Sequence, residues 1–199
     1  MADSDINIDI CNLALSHVRG YPIQSITASS QEARECRRLY LPAKDSTLEF
    51  HDWSFARKEK TLAVVSGETR SGWTYIYEFP SDCLAPRKIH NAASQHKKIP
   101  FEVGVNSALN KRRIFTNEEN AILIYTAQVV DANIFTVQFK EALALKLGSD
   151  LAVPLNRDSK LKDDLYKAFT RKVLGSAADD ANTSHKDYDD EPNPYVDAR

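Results

Sequence analysis

The stretch 45–52 contains several acidic side chains, and carboxylates can support acid–base chemistry. Asp45 and Glu49 lie four residues apart, Asp52 follows, and His51 stands beside it. Glycoside hydrolases place two carboxylates on either side of the scissile bond, so Glu49 or Asp52 could serve as the acid of a glycan or peptidoglycan hydrolase. On a helix, carboxylates at this spacing are also common ion-pair partners of surface cations. Hydrolysis is therefore an alternative to a structural role.

Side chains that could bind a metal are spread along the chain without the close pairing that chelation usually shows. They are Cys11, Cys36, Cys83, His17, His51, His90, His96 and His185. We expect the thiols to be reduced and buried and the imidazoles to lie at the surface. The chain contains no Gly-x-Ser-x-Gly nucleophile motif and no glycine-rich phosphate loop. The sequence predicts neither a metal site nor a cofactor.

The segment 87–113 is locally basic. Its charged residues are Arg87, Lys88, Lys97, Lys98, Lys111, Arg112 and Arg113, with the single acid Glu102. The candidate basic loop consists of Lys97, Lys98, Lys111, Arg112 and Arg113. One interpretation is a surface that lines a DNA channel or contacts an acidic partner. The other is a solvated loop, and a nucleic-acid-binding module that uses this loop is a further alternative.

Composition is that of a soluble globular protein. The 199 residues are 42% hydrophobic and 27% charged, with a formal net charge of -2, which suits one domain or one domain with an insertion. No apolar run approaches the roughly 18 residues of a membrane span, so we expect no membrane partner. The start, Met1–Asp5, is acidic and polar, and we expect no secretory signal there.

Two amphipathic helices are predicted before residue 57. The first spans Asp5 to Val18, with Asp5 as the N-cap, and stops before Gly20. The second begins at Ser29, which is followed three residues later by Glu32 in the pattern of a capping box. Because the link between the two helices is short, they should fold back on each other as a helical hairpin.

The second helix should bury one face. Residues that recur at steps of three and four are Ala33, Cys36, Tyr40, Ala43, Thr47 and Phe50. Lys44 and most other charged side chains fall elsewhere and can stay in water. Pro42 lies inside the pattern and predicts a kink. Trp53 and Phe55 follow the helix and can pin the next segment against it.

Between residues 57 and 130 the hydrophobic period changes from 3.6 to 2, which predicts strands. The candidate strands are Thr61–Val65, Trp73–Phe79, Arg87–His90, Pro100–Val105, Arg113–Thr116 and Ala121–Val129. Asn117–Asn120 should join the last two as a hairpin. Ala121–Val129 is the most apolar and is the candidate central strand. We expect one antiparallel sheet of about four to six strands.

Helical periodicity returns after Asp131. Pro154 should end the third helix, and Asn156 should cap the fourth. Gly175 and the Ala-Asp run after it weaken the fourth helix. The stretch 179–199 is acidic, holds two prolines and has almost no aliphatic residues, so it cannot bury enough surface to order itself.

The predicted fold class is α+β, with three parts. A four-helix bundle core is formed by residues 1–56 and 131–178. Residues 57–130 form an inserted small antiparallel β-sheet domain. Residues 179–199 form a flexible acidic C-terminal arm, either disordered or ordered against another chain.

Several of these segments resemble the tail tubular protein A family, the head-to-tail adaptors of short-tailed phages. The matching residues are Asp9–Leu15 with Gly20, Glu32–Ala33, Cys36–Arg37, Tyr40, Trp53–Ala56 and Tyr77–Leu84, together with the paired C-terminal helices. These are packing and turn residues with no catalytic signature. The resemblance covers nearly the whole chain.

The resemblance implies a structural protein of the virion tail, assembled in the bacterial host cytoplasm, and no enzyme activity. It implies a ring of identical subunits, expected to be twelve, between the portal protein and a tail nozzle that resembles tail tubular protein B. Tail fibres would attach at the side, and genomic DNA would pass through transiently. The arm is expected to bind the portal or a neighbouring subunit through Asp187, Tyr188, Asp189, Asp190, Pro192 and Tyr195. We expect the isolated chain to be a monomer or a weak oligomer that forms rings on the portal.

Overall fold

The computed structural model describes residues 6–91, 99–106 and 110–183, with the backbone alone for residues 106 and 177–183. Its elements are α1 (Ile8–His17), α2 (Gln31–Phe50), β1 (Arg57–Thr61), β2 (Tyr75–Glu78), β3 (Cys83–His90), β4 (Phe101–Asn106), β5 (Lys111–Thr116), β6 (Ile122–Ala127), α3 (Val137–Asn156) and α4 (Ser159–Thr183). Short 3₁₀ turns, Ser54–Ala56 and Ala132–Ile134, precede β1 and α3. Across the described residues the fold is α+β, with four helices and two three-stranded antiparallel sheets.

Polar side chains hold α1 to the segment that follows it. Asn7 is the N-cap, and its side-chain oxygen accepts a hydrogen bond from the Ile10 N–H at 3.1 Å. Asp5, the predicted cap, lies outside the described residues. The Asn12 amide both donates to and accepts from the backbone of Ile23, at 3.0 and 2.8 Å. This pair of bonds fixes the link between α1 and α2 against α1.

The start of α2 lies one residue beyond the predicted one. Ser30 is the N-cap, and its Oγ accepts from the Ala33 N–H at 3.2 Å. The predicted cap, Ser29, is therefore wrong. Glu32 occupies the second helical position instead of the third, so the predicted capping box is wrong as well.

The buried face of α2 follows the predicted spacing with two exceptions. Its buried members include Ala33, Cys36, Tyr40, Ala43 and Thr47. Phe50 is 43% exposed and Lys44 is 1% exposed, so the prediction is wrong for both. Lys44 is buried because its Nζ donates to the Val129 carbonyl at 2.7 Å. The helix continues through Pro42 to its last residue.

α3 is central to the helical core and packs against α1, α2 and α4. Gly148 allows the close approach of α1, since a Cβ there would lie 3.3 Å from the Ala14 carbonyl oxygen. Ser149 Oγ donates to the Lys162 carbonyl at 2.9 Å and joins α3 to α4. The apolar side chains between these helices include Leu15, Tyr40, Phe139, Leu143, Leu147 and Phe169.

Both C-terminal helices extend beyond their predicted ends. α3 passes Pro154 and ends at Asn156, where Arg157 takes a left-handed conformation with φ of 55°. The predicted stop at Pro154 is therefore wrong, because the chain reversal at Arg157 ends the helix. α4 continues past Gly175 to Thr183.

The predicted cap of α4 is also wrong. Asn156 belongs to α3, and its side chain donates to the Val18 carbonyl. Asp158 takes the capping role, because its Oδ1 accepts from the Leu161 N–H at 2.9 Å.

The strands form two sheets, so the predicted single sheet is wrong. Strand order is β1-β6-β3 in the first sheet and β2-β5-β4 in the second, and all pairs are antiparallel. β6 is the central strand of its sheet, as predicted for Ala121–Val129. The predicted β5–β6 hairpin is wrong, since these strands pair with different partners. The turn at Asn117–Asn120 instead carries the chain from one sheet to the other.

The first predicted strand is misplaced. β1 ends at Thr61, where Thr61–Val65 was predicted to begin, and all its residues are exposed. Val64 forms a bridge with Tyr77 of β2. The segment after β1 therefore crosses to the second sheet.

The two sheets share a second apolar core, separate from that of the helices. Its buried residues include Leu62, Tyr77, Ile89, Ile114, Leu123 and Tyr125, drawn from both sheets. The Tyr77 hydroxyl donates to the Glu118 carbonyl at 2.8 Å. Burial of these side chains holds the two sheets together.

Candidate functional site

A cleft opens beside Phe79, at the turn between β2 and β3. Its cavity of about 410 Å³ is lined by Glu78, Phe79, Pro80, Ser81, Cys83, Lys111, Arg112 and Arg113. An adjoining cavity of about 210 Å³ shares Glu78 to Ser81 and adds Lys60, Leu62 and Ala63. We call the two cavities together the Phe79 cleft. Phe79 and Pro80 line both cavities, while β5 lines only the larger one and Lys60 only the smaller one.

Hydrogen bonds hold the turn that carries Phe79. The Cys83 N–H donates to the Pro80 carbonyl at 3.1 Å. Asp82 accepts from Lys58 Nζ at 2.8 Å and from the Tyr125 hydroxyl at 3.1 Å. The hydrogen bond from Lys58 lowers the pKa of Asp82, and burial together with Asp82 raises the pKa of Tyr125 to about 12. The turn is thereby anchored to β1 and β6.

The cations of β5 have different environments. The Arg112 guanidinium carbon lies 3.8 Å from the centre of the Phe79 ring, which is a cation–π contact. Arg113 is 7% exposed and donates to both carboxylate oxygens of Glu68, at 2.8 to 3.2 Å. The hydrogen bond to Glu68 raises the pKa of Arg113. Lys111 is exposed at the start of the strand.

The predicted basic loop is thus placed in part. Lys111, Arg112 and Arg113 lie together in the cleft wall, and the Arg113 charge is neutralised by Glu68. Lys97 and Lys98 lie outside the described residues. The predicted arm residues, Asp187, Tyr188, Asp189, Asp190, Pro192 and Tyr195, lie outside them as well.

The acidic residues of the hydrolase hypothesis face separate partners. Asp45 accepts from the Gln128 amide at 3.2 Å, and burial raises its pKa. Asp52 forms an ion pair with Arg57 at 2.9 Å, and Glu49 is exposed. None of the three carboxylates lines the Phe79 cleft.

Arg87 occupies a position that sequence reasoning missed. Its guanidinium donates to the carbonyls of Glu49 and His51 at 2.8 and 2.9 Å and to Leu48 at 3.3 Å, and its Nε donates to Thr126 Oγ1 at 2.8 Å. The last turn of α2 has no basic residue of its own, so Arg87 supplies the cation that a helix C-terminus favours. We call this contact the Arg87 clamp. It joins the first sheet to the end of α2.

An aromatic patch lies where α2 and α4 meet. Buried Phe169 lies between two exposed rings, with centroid distances of 5.1 Å to Phe50 and 5.8 Å to Tyr166. Tyr166 is 45% exposed, and Leu174, two turns further along α4, is 63% exposed. We call Phe50, Tyr166, Phe169 and Leu174 the α2–α4 patch. Side chains this apolar at the surface are a candidate contact site for another protein.

The thiols lie in the interior. Cys11 and Cys36 are fully buried on facing helices, and a hydrogen bond between them, with burial, raises the pKa of Cys11. Burial raises the pKa of Cys83 to about 11. Among the described residues, no cluster of three His, Cys, Asp or Glu side chains could hold a metal ion. In the same part of the chain, no helix combines the length and apolar character needed to cross a membrane.

No protein-family model and no curated protein matches the chain.

Proposed function

We propose that this chain is a structural head-to-tail adaptor of a phage tail. Copies of it assemble into a ring, expected to hold twelve subunits, between the portal and the tail nozzle. The ring lets the genome pass and performs no catalysis. It resides in the virion tail and is assembled in the cytoplasm of the bacterial host.

The roles of the residues that resemble tail tubular protein A support this proposal. Asn12 ties α1 to the following link, Cys36 and Tyr40 are buried on α2, and Trp53 is buried beyond it. Asp82 anchors the turn that carries Phe79. These residues maintain a scaffold, so the structural role is proposed by analogy with that family.

The proposed architecture is a helical core with an inserted β unit. The four helices serve as one bundle core with α3 at its centre, and the β unit between α2 and α3 is the insertion. The core supplies subunit contacts, while the β unit offers edges and loops to the portal, nozzle or tail fibres. Lys111 and Arg112 contact an acidic partner or passing DNA, and the acidic arm contacts the portal or a neighbouring subunit.

The α2–α4 patch is the observation that carries the proposal. Phe50, Tyr166 and Leu174 expose 43%, 45% and 63% of their surface. Burial of apolar surface contributes about 25 cal/mol per Å², and a ring contact between identical chains needs such a face on each subunit. We therefore assign the patch to the contact between neighbouring subunits.

A portal-binding assay tests this assignment. Portal rings of the same virus would be mixed with the wild-type chain or with a Tyr166→Glu/Leu174→Glu variant, cross-linked and sedimented. The wild-type chain should sediment with the portal rings, with neighbouring copies cross-linked to each other, and the variant should lose the cross-links between copies. Lys160→Glu is the control, because it changes an exposed residue in the first turn of α4 that does not belong to the patch, and this variant should sediment like the wild type. Equal linkage of the patch variant and the control would contradict the assignment, and absence of wild-type sedimentation would contradict the adaptor role.

A further inference from the structure

We propose that the Phe79 cleft binds the C-terminal segment of its own chain, residues 187–195. This inference concerns the isolated chain and is independent of the adaptor role. The segment reads Asp-Tyr-Asp-Asp-Glu-Pro-Asn-Pro-Tyr, so it combines four carboxylates with two tyrosines and two prolines. Each of these groups has a counterpart in the cleft.

The cleft presents cations around an apolar floor. Phe79 and Pro80 form the floor, and the Arg112 guanidinium lies over the phenyl ring. Lys111 lines the larger cavity and Lys60 the smaller one. Because Arg113 is paired with Glu68, Lys60, Lys111 and Arg112 are the cations that face an incoming ligand.

The segment matches this arrangement in charge and shape. Carboxylates form charge-assisted hydrogen bonds with lysine and arginine, and tyrosine and proline rings pack on a phenyl ring. Glu78 is the single acid among the described residues that line the cleft, so the wall retains a net positive charge. Proline favours extended chain conformations, which reduces the entropy lost on docking.

α4 continues past the end of α2, where the β unit begins. Phe169 contacts Phe50, the last residue of α2, and the β unit begins just beyond that point. From Phe169 to Thr183 the helix adds about 21 Å of rise in the same general direction as α2. An extended chain covers about 3.3–3.6 Å per residue, so residues 187–195 can reach some tens of ångströms beyond Thr183. Attachment to the same chain also raises the effective concentration of the segment to the millimolar range.

The dimensions favour a peptide over a nucleic acid. A cavity of about 410 Å³ has the size of small-ligand sites and accommodates a few side chains. A nucleic-acid backbone carries phosphates at regular spacing, whereas an acidic peptide can place its rings beside Glu78 and its carboxylates beside the lysines.

Zero-length cross-linking of the full chain tests the proposal. Carbodiimide joins a lysine amine to a carboxylate in direct contact, and mass spectrometry of the monomeric product identifies the linked residues. Links from Lys60 or Lys111 to residues 187–191 should exceed those from Lys140 by about fivefold or more. Lys140 is the control because it lies in the first turn of α3, beside Glu141, which forms an ion pair with Lys172 of α4, and it does not line the cleft.

Two variants separate docking from chance proximity. Arg112→Glu should reduce the cleft links to the level of Lys140. Asp189→Lys/Asp190→Lys should do the same while leaving every cleft residue unchanged, which excludes misfolding of the cleft as the cause. Combining the two variants should restore links to Asp187 and Glu191, because the charges are then exchanged.

Four results would overturn the proposal. The first three concern the cross-links: cleft links no more frequent than those of Lys140, links found only between two chains, or links unchanged by both variants. The fourth is that the wild type binds duplex DNA, that Lys60→Glu/Lys111→Glu abolishes this binding, and that no link to the segment is found. Links found only between two chains would assign the cleft to a neighbouring copy, and the DNA result would assign it to a nucleic acid.

Discussion

Replacing Arg87 with methionine should destabilise the protein by separating the first sheet from the end of α2. The Arg87 guanidinium donates to the carbonyls of Glu49 and His51, at 2.8 and 2.9 Å, and its Nε donates to Thr126 Oγ1 at 2.8 Å. Methionine keeps much of the apolar stem and removes every donor. The carbonyls in the last turn of α2 then lose the cation that faces them.

The expected loss in free energy of unfolding is about 2–3 kcal/mol. Hydrogen bonds that involve a charged group contribute about 1.5–3 kcal/mol each. The four bonds of Arg87 would together give more, but two effects reduce the total. Arg87 is only half-buried, so water can replace part of what is lost, and burial lowers the pKa of Arg87, which shows that desolvation of the cation opposes the bonds.

Urea unfolding, followed by circular dichroism, measures the effect. With a slope of about 2 kcal/mol per molar urea, the midpoint should fall by roughly 1–1.5 M. Arg87→Lys keeps the charge without the planar fork and should fall between the wild type and Arg87→Met. Arg37→Met, on the exposed face of α2, is the control and should change stability by less than about 0.5 kcal/mol. If Arg87→Met and Arg37→Met shift the midpoint equally, the reasoning about the clamp is refuted.

Three further predictions address packing, pH and catalysis. Gly175→Ala should raise the free energy of unfolding by about 0.5–1 kcal/mol, because its new Cβ meets nothing within 4 Å inside α4. Gly104→Ala should lower the free energy of unfolding by about 1–2 kcal/mol, because its Cβ would lie 2.9 Å from a ring carbon of Phe115 in β5. Urea midpoints that move in the same direction for the two variants would contradict this. A lysine hydrogen bond lowers the pKa of Asp82 below its ordinary 3.8, so its stabilisation is complete above that pH and disappears as pH falls through the folded value. Asp82→Asn should therefore flatten the fall of the melting temperature below about pH 4, and an unchanged profile would show that this carboxylate does not contribute. The purified chain should release no reducing sugar from peptidoglycan; release that Glu49→Ala or Asp52→Ala abolishes would establish the hydrolase alternative.

Helical faces could be predicted because their period is local. Cys36, Tyr40 and Thr47 recur at helical spacing and are buried. Lys44 is buried although the pattern placed it in water, because its partner, the Val129 carbonyl, is 85 residues away in the chain. A periodic pattern describes which side of a helix is apolar, but a long-range polar contact can bury a cation that the pattern assigns to water.

Strand pairing could be predicted less well, for a related reason. The polar turn at Asn117–Asn120 favoured a local hairpin of β5 with β6, yet β5 pairs with β4 and β2, and β6 pairs with β1 and β3. Two sheets bury the apolar residues of both β5 and β6 against each other, which one hairpin on one sheet would not do. Turn residues alone carry no information about that choice.

Only the positive charge of the candidate site could be predicted from the sequence. Lys111 and Arg112 were predicted from the local excess of cations, and both line the Phe79 cleft. The Arg112–Phe79 contact and the pairing of Arg113 with Glu68 depend on the fold. Arg87 belonged to the same basic segment, but its charge serves the end of α2 instead of a surface.

The mass of the chain alone and on portal rings tests the adaptor role most directly. Mass photometry of the purified 22.4 kDa chain should show a monomer or a small oligomer. Addition of portal rings of the same virus should give one complex that carries twelve further chains, and Tyr166→Glu/Leu174→Glu should prevent its completion. Portal rings whose mass does not change in the presence of the wild-type chain would contradict the proposed function.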